Sequence, residues 1–212
     1  MSKNKIILIG GGGHCKSCIE VIESTNQYEI AGIIDTAEKV GERILGYPII
    51  GSDEDLEEIR KNHDIALVTV GQIKSAAIRI KLFEKIKALN FKLPTIIAAT
   101  AHVSKHASIG KGTIIMHQAM INADVTIGNN CIINTKVLIE HDTHVGNHSH
   151  ISTASILNGN VRVGNECFIG SNSTFVNGIA TVDNVFVGIN SVVNKNLKDA
   201  GIYVGNPIRK IR

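Results

Sequence analysis

Two rhythms of apolar residues divide the 212-residue chain near its middle. In the first half, short apolar runs alternate with helical spacing. Strands are predicted at Lys5–Ile9, Glu29–Ile34 and Ile65–Val70, with helices from about His14, near Ser52–Asn62 and over Ile73–Leu89. This β-α-β-α-β-α order predicts a short parallel sheet with helices packed on it and a ligand crevice outside the carboxyl ends of its strands. The loop Gly10–His14, Asp35 and Gly71 fall there. From Val103 the spacing changes. Every sixth residue from 103 to 193 is apolar but for one Thr, and fourteen of these sixteen are Ile, Val or Leu. The residue four places after each is small or aliphatic. A helix repeats near 3.6 and a strand at 2, so an unbroken period of six predicts a hexapeptide solenoid, a parallel β-helix.

Each repeat position has a physical task. The aliphatic first and small fifth residues point into a narrow shaft in which stacked coils bury like on like. Ten asparagines occupy third or fourth positions, among them Asn129, Asn130, Asn147, Asn165, Asn172 and Asn190, where corners call for left-handed backbone. Glycine at the second position of six repeats relieves crowding between coils. Three hexapeptides close one triangular coil, so sixteen give about five coils. Pro48 is assigned to a loop, Pro94 to the junction and Pro207 to the stretch after the last repeat; none interrupts the repeat. The fold class is therefore an α/β Rossmann-like βαβαβ domain over residues 1–95, followed by a parallel β-helix over 96–212.

Composition agrees with this division. The chain is 43% apolar but only 4% aromatic, with no Trp, which suits narrow repetitive packing. No stretch approaches the ~18 apolar residues of a membrane span or forms a signal peptide, so a cytoplasmic protein is expected. Residues 1–95 carry 13 basic and 13 acidic side chains and residues 96–212 carry 9 and 6, so the net charge of +3 lies wholly in the second half. Lys195, Lys198, Arg209, Lys210 and Arg212 face only Asp199 near the end. That small basic patch suits a phosphorylated small molecule and is too slight for nucleic acid. Cys15 and Cys18 form a C-x-x-C after the glycines, but their helical spacing reads as a buried helix face; Cys131 and Cys167 lie in strand-like sequence.

Four of the nine histidines, His141, His144, His148 and His150, cluster within Ile139–Ile151. His141 occupies a third position, near a corner and facing outward, and its equivalents eighteen residues away are Ala123 and Gly159, which leave room for a ligand. Glu140 and Asp142 flank it. A carboxylate on one ring nitrogen fixes the tautomer and raises the basicity of the other, which suits a general base. In the first half, Gly10–His14 lies between a strand and a helix, where backbone N–H groups and the helix dipole can cradle a phosphate. Cys15 stands where a dinucleotide fingerprint has a third small residue, so a nucleotide-sugar diphosphate fits better than a dinucleotide.

The hexapeptide pattern, the run Ile139-Glu140-His141-Asp142, the glycine loop and the closing Gly205-Asn206-Pro207 together resemble the hexapeptide-repeat sugar acetyltransferases of the bacillosamine N-acetyltransferase and sialic acid O-acetyltransferase group. The resemblance implies a left-handed helix, acetyl-CoA as co-substrate, no metal and a homotrimer with direct acetyl transfer at a cleft between subunits. His141 would be the general base, Asp142 its orienting partner and the Gly159 N–H the oxyanion donor. Gly12, Gly13, His14, Asp35, Thr36, Gly71 and Asn134 would contact the substrate. His150, Ser171 and Ile189 would line the coenzyme path. The implied acceptor is a UDP-linked 4-amino-4,6-dideoxy sugar, with O-acetylation of a sialic or nonulosonic acid as the near alternative. Two alternatives of another class are a β-helix zinc hydratase using His117, His141 and His144, and a non-catalytic nucleotide-sugar-binding scaffold.

Overall fold

A computed structural model describes residues 3–72 and 75–212, which fall into two compact units, Met1–Ala99 and Thr100–Arg212. The first unit holds β1 (Asn4–Ile9), α1 (Gly13–Thr25), β2 (Tyr28–Ile34), β3 (Arg43–Ile44), β4 (Tyr47–Gly51), α2 (Leu56–Arg60), β5 (Ala66–Val68) and α3 (Ala77–Ala88). Its sheet runs in the order β3-β4-β2-β1-β5, parallel except for the β3–β4 hairpin. Both central strands are apolar along most of their length, as a sheet covered on two faces requires. One face packs Ile7, Ile9, Ile34 and Val68 against Leu56, Leu82, Phe83 and Ile86. On α1, Cys15, Cys18, Ile19 and Ile22 recur at helical spacing and are fully buried. Burial pushes both of these thiols up, so they pack as small apolar groups.

Two expectations change here. Pro48 lies in β4, opposite Arg43 and beyond the stretch that pairs with β2, where a missing N–H is tolerated. The turn that makes this hairpin is Leu45-Gly46, with φ of +47° and +87°. Two positive φ angles define the tight two-residue turn that matches strand twist. Leucine at its first position carries none of the usual Asn or Asp signal. The stretch read as one helix over Ser52–Asn62 is a 3-10 turn, Asp53–Asp55, followed by α2. Ile73, the expected start of the third helix, lies outside the described residues.

The second unit is a left-handed parallel β-helix with three faces. In one coil the strands are Ile132–Ile133, Leu138–Ile139 and His144–Val145, and each pairs in parallel, in register, with strands eighteen residues earlier and later. From Ile115 through Phe175 every first-position residue is buried, as is every fifth-position residue from Thr113 to Ser173. The fifth positions also carry a hydrogen-bond series. Thr113 Oγ1, Cys131 Sγ, Ser149 Oγ and Cys167 Sγ each donate to a carbonyl in the following coil, at Gly128, Gly146, Gly164 and Val182. Cys131 and Cys167 thus stand in for hydroxyls. The chain closes with Arg209–Lys210 antiparallel to Gly201–Val204, after a cis Asn206–Pro207 peptide.

The corners differ from expectation in one respect. Left-handed backbone is confined to the fourth position, and residues as different as Lys136, Asp142, His148, Ala154 and Glu166 adopt it there. Third-position asparagines have another role. Asn129, Asn147 and Asn165 accept through Oδ1 from the third-position backbone N–H one coil earlier, each at 2.8 Å, and Asp183 Oδ1 accepts from Asn165 N at 2.7 Å. This ladder satisfies corner N–H groups that the sheets leave unpaired. The glycines preceding it are sterically required: a Cβ on Gly164 would lie 2.6 Å from Val182 backbone atoms of the next coil.

Candidate active site

His141 sits on the corner that links the Leu138–Ile139 and His144–Val145 faces. Its side chain is 62% exposed, and Nδ1 pairs with Asp142 Oδ2 at 2.7 Å. That hydrogen bond raises the imidazole pKa above its ordinary value, against the opposing effect of desolvation. With Nδ1 committed to the carboxylate, Nε2 is the nitrogen left to exchange a proton with a ligand. Glu140 takes a separate path. Its Oε2 accepts from Asn122 Nδ2 at 2.7 Å, one coil away, while Asp142 bonds the ring. Asp142 reaches Nδ1 from the left-handed fourth position, at φ +63°.

Gly159 occupies the equivalent third position one coil later. A Cβ there would stand 2.8 Å from His141 Cε1 and 2.9 Å from Nε2, so only glycine leaves the ring and its proton-accepting edge clear. Its carbonyl accepts from Gly178 N, while no intrachain hydrogen bond from its own N–H is found among the described residues. A donor is therefore available beside Nε2, where negative charge on a carbonyl oxygen could be received.

Asn134, Ser171 and Ile189 occupy a different corner, between the Ile132–Ile133 and Leu138–Ile139 faces. Asn134 Nδ2 contacts His150 Nε2 at 3.3 Å, and Ser152 and Ser171 hydroxyls meet at 2.9 Å. His150 is only 7% exposed, with its ring edge-on to Phe168, which stacks on Phe186 at 4.7 Å. Ile189, in contrast, is 73% exposed. A single chain thus carries the two expected sets on two edges of the prism, one face apart. The hydratase reading would bring its three histidines together across subunits; within one chain His117 Nδ1 bonds Thr100 Oγ1 at 2.8 Å and His141 Nδ1 bonds Asp142 Oδ2.

In the first unit the glycine loop lies at the carboxyl end of β1. Gly10 adopts φ +104°, with the position of a Cβ only 2.3 Å from Val70 Cγ2. Nothing lies within 4 Å of where a Cβ on Gly12 or Gly13 would point, and α1 starts there with no side-chain cap and no acid in its first turn. An anion can approach those N–H groups directly. Asp35 acts as a local brace. Its Oδ2 accepts from Gly11 N at 3.1 Å and Lys39 Nζ at 3.0 Å, and its Oδ1 from Thr36 N at 2.8 Å. His14 is lowered to about 4 by burial and by the Arg79 guanidinium, so its ring is neutral near pH 7; Gly71 packs closely against its Cβ. Beside the loop, a cavity of about 430 Å³ is lined by Gly10, Asp35 and Thr36 together with residues the sequence reading passed over, notably Glu38, Ser52, Glu54 and Ile78. These follow β2 and β4 or start α3, and recognising β4 as a strand was the missing signal.

A parallel column bearing an outward histidine-aspartate pair, attached to a glycine-loop α/β unit, defines a hexapeptide-repeat acyltransferase. The sequence matches the PglD N-terminal domain family over residues 5–86 and the bacterial transferase hexapeptide (six repeats) family over residues 106–141. Among solved structures, perosamine N-acetyltransferase from Caulobacter crescentus is 31% identical, with a TM-score of 0.93 over 100% of this chain and 98% of that one, in a crystal of a histidine mutant with CoA and GDP-perosamine. The acetyltransferase domain of PglB from Neisseria gonorrhoeae is 31% identical, with a TM-score of 0.91 over 99% of this chain and 100% of that one. WeeI from Acinetobacter baumannii, 20% identical with a TM-score of 0.86, shares the fold. No curated protein sequence gives a match. The chain belongs to the PglD-like family of hexapeptide-repeat sugar acetyltransferases.

Proposed function

We propose that the protein transfers an acetyl group from acetyl-CoA to the amino group of a nucleotide-linked amino sugar, with His141 as general base. The observation that carries this reading is the Asp142–His141–Gly159 corner, which sets a base raised in basicity next to an available N–H donor. The amine nitrogen attacks the thioester carbonyl carbon while His141 Nε2 takes the amine proton. The Gly159 N–H receives the developing oxyanion, where one such donor is worth roughly 3 kcal/mol. Collapse of the tetrahedral species breaks the C–S bond, and the imidazolium returns its proton to the departing CoA thiolate. Asp142 stabilises that imidazolium and keeps Nε2 facing the substrate. No covalent acyl-enzyme is required, because both substrates are held together.

Two solved neighbours support the co-substrate: one holds CoA with GDP-perosamine and another acetyl coenzyme A. The separation of the two edges supports a homotrimer. His141 and Gly159 of one protomer would face Asn134, His150, Ser171 and Ile189 of the next across a cleft, with the coenzyme along it. Gly12, Gly13, His14, Asp35, Thr36 and Gly71 would surround the nucleotide, with its diphosphate on the N-terminus of α1. The sequence reading favours a uridine carrier, and the Caulobacter neighbour holds a guanosine one. Incubation with labelled acetyl-CoA and UDP- or GDP-linked 4-amino sugars, read by mass spectrometry, tests the assignment. Acetylated amine on either carrier supports it. Acetyl-CoA binding without transfer to any amine, or transfer to a nonulosonic acid hydroxyl instead, overturns it.

A further inference from the structure

The cavity beside Asp35 has two contrasting kinds of lining. Ile34, Val70, Ile78 and Leu82 give an apolar wall suited to the face of a ring, and Ile78 is 67% exposed. The acidic residues Glu38, Asp53 and Glu54 also line the cavity. Three side-chain donors nearby are engaged elsewhere: Lys39 on Asp35, the Ser52 hydroxyl on Asp55, and Lys85 on the Asp53 carbonyl. Asp35 itself already accepts three hydrogen bonds. A planar group entering here meets acceptors. We propose that this cavity reads the nucleobase of the sugar carrier through carboxylates, Glu38 foremost, and takes guanine in preference to uracil.

The argument is one of edge chemistry, and it rests on the nucleotide-sugar reading above. An ionised carboxylate only accepts hydrogen bonds and prefers two parallel N–H donors. Guanine presents adjacent donors, N1–H and N2–H, on one edge. Uracil offers a single N3–H between two carbonyl oxygens, each repelled by a carboxylate. Adenine and cytosine set one amino group beside a bare ring nitrogen acceptor. Only guanine matches a carboxylate at both of its oxygens. Glu38 follows β2 directly, next to Asp35 and Thr36 in the cavity lining, in the 3-10 segment Ala37–Lys39, and its own backbone N–H and the Thr36 hydroxyl lower its pKa from the ordinary carboxylate value. An independent pointer is the Caulobacter neighbour, which aligns over the whole chain and holds a guanosine diphosphate sugar.

Titration calorimetry of the full chain with GDP, UDP, ADP and CDP tests this without any acetyl transfer. GDP is expected to bind at least about tenfold more tightly than the others, the discrimination that one well-placed bidentate pair gives. Glu38→Gln replaces two acceptors by one acceptor and one donor, which complements the N3–H and O4 of uracil. It should weaken GDP about tenfold and strengthen UDP, with an unchanged melting curve showing that the exposed substitution leaves the fold intact. Equal affinity for GDP and UDP, tighter UDP, or a Glu38→Gln protein that binds both as the parent does overturns the proposal. Failure of the underlying reading is distinct: acetyl transfer onto a UDP-linked amine with no GDP preference sinks only the guanine assignment, whereas absence of nucleotide binding sinks both.

Discussion

The two units fix functional groups in opposite ways. In the column a residue's role follows from its place in an eighteen-residue count: His141 and Gly159 are neighbours because they differ by one coil, and His150 lies on another face because it is nine residues on. In the α/β unit nothing repeats, and the pocket gathers ends of different elements, Gly10 after β1, Thr36 after β2, Ser52 after β4 and Val70 after β5. A repetitive scaffold makes geometry cheap to specify, whereas a wound sheet assembles varied chemistry at a single rim. Under the proposed function, base and oxyanion donor would sit on the former, and recognition of the carrier on the latter.

The strongest challenge to this division is removal of the base. His141→Ala should cut turnover by about a hundred- to ten-thousandfold, the range for general base catalysis. Melting should be unchanged, because the side chain is exposed; steady-state rates and a thermal scan together check both halves. Unchanged turnover removes His141 from the chemistry.

Acid should separate the units next. His14 is lowered to about 4 in the fold against 6.5 when free, so its contribution is present above pH 6.5 and is lost as pH falls towards 4. The loss approaches about 3 kcal/mol by the lower limit. Hydrogen exchange between pH 7 and 4.5 should therefore show protection fading in α1 and β1 before the strands of the column, and His14→Gln should flatten that dependence. A uniform loss over both units contradicts the assignment.

Two glycines then sharpen the comparison within the column. Gly164→Ala places its Cβ against backbone of the next coil and should destabilise by about 1–3 kcal/mol in chemical denaturation. Gly159→Ala places its Cβ against an exposed imidazole and Asn177 Nδ2, so it should spare stability and lower kcat. Both variants losing stability equally would mean that the His141 corner is a packing site. Smallest of all, Asp142→Asn removes the group that raises His141. The plateau rate should fall about tenfold, and the acid limb of the kcat/KM profile should move to lower pH because a less basic ring stays neutral further down. A limb that stays in place would free Asp142 from this role.

The column was legible almost residue by residue, since a period of six admits one packing and any shift would turn Ile133 or Val145 outward. Because Asn is common in left-handed backbone, sequence alone makes the third-position asparagines look like the makers of corners. The structure gives that conformation to the fourth position whatever its side chain, because coil closure with interstrand pairing outweighs a local preference of about 1 kcal/mol. In the α/β unit the strand order was visible but the hairpin was not. Leu45 has no propensity for the turn it makes, and β4 has only five residues. Missing β4 hid Ser52, Asp53 and Glu54, and with them most of the acidic lining. Of the corner chemistry, the pairing of Asp142 with the ring was readable from adjacency. The diversion of Glu140 to Asn122 became visible only when the coils were stacked.

The asparagine ladder ends on a carboxylate. Asn129, Asn147 and Asn165 each pass the pattern to the following turn, whereas Asp183 also accepts from Asn165 Nδ2 at 3.2 Å and so grips the last amide from both sides. It terminates a polymer-like series. A cassette of eighteen residues carrying Gly-Asn in phase, spliced below that stop, would lengthen the protein by one storey without disturbing either end. Evolution or a designer can thereby change the height of this protein in whole increments while the His141 corner stays in place.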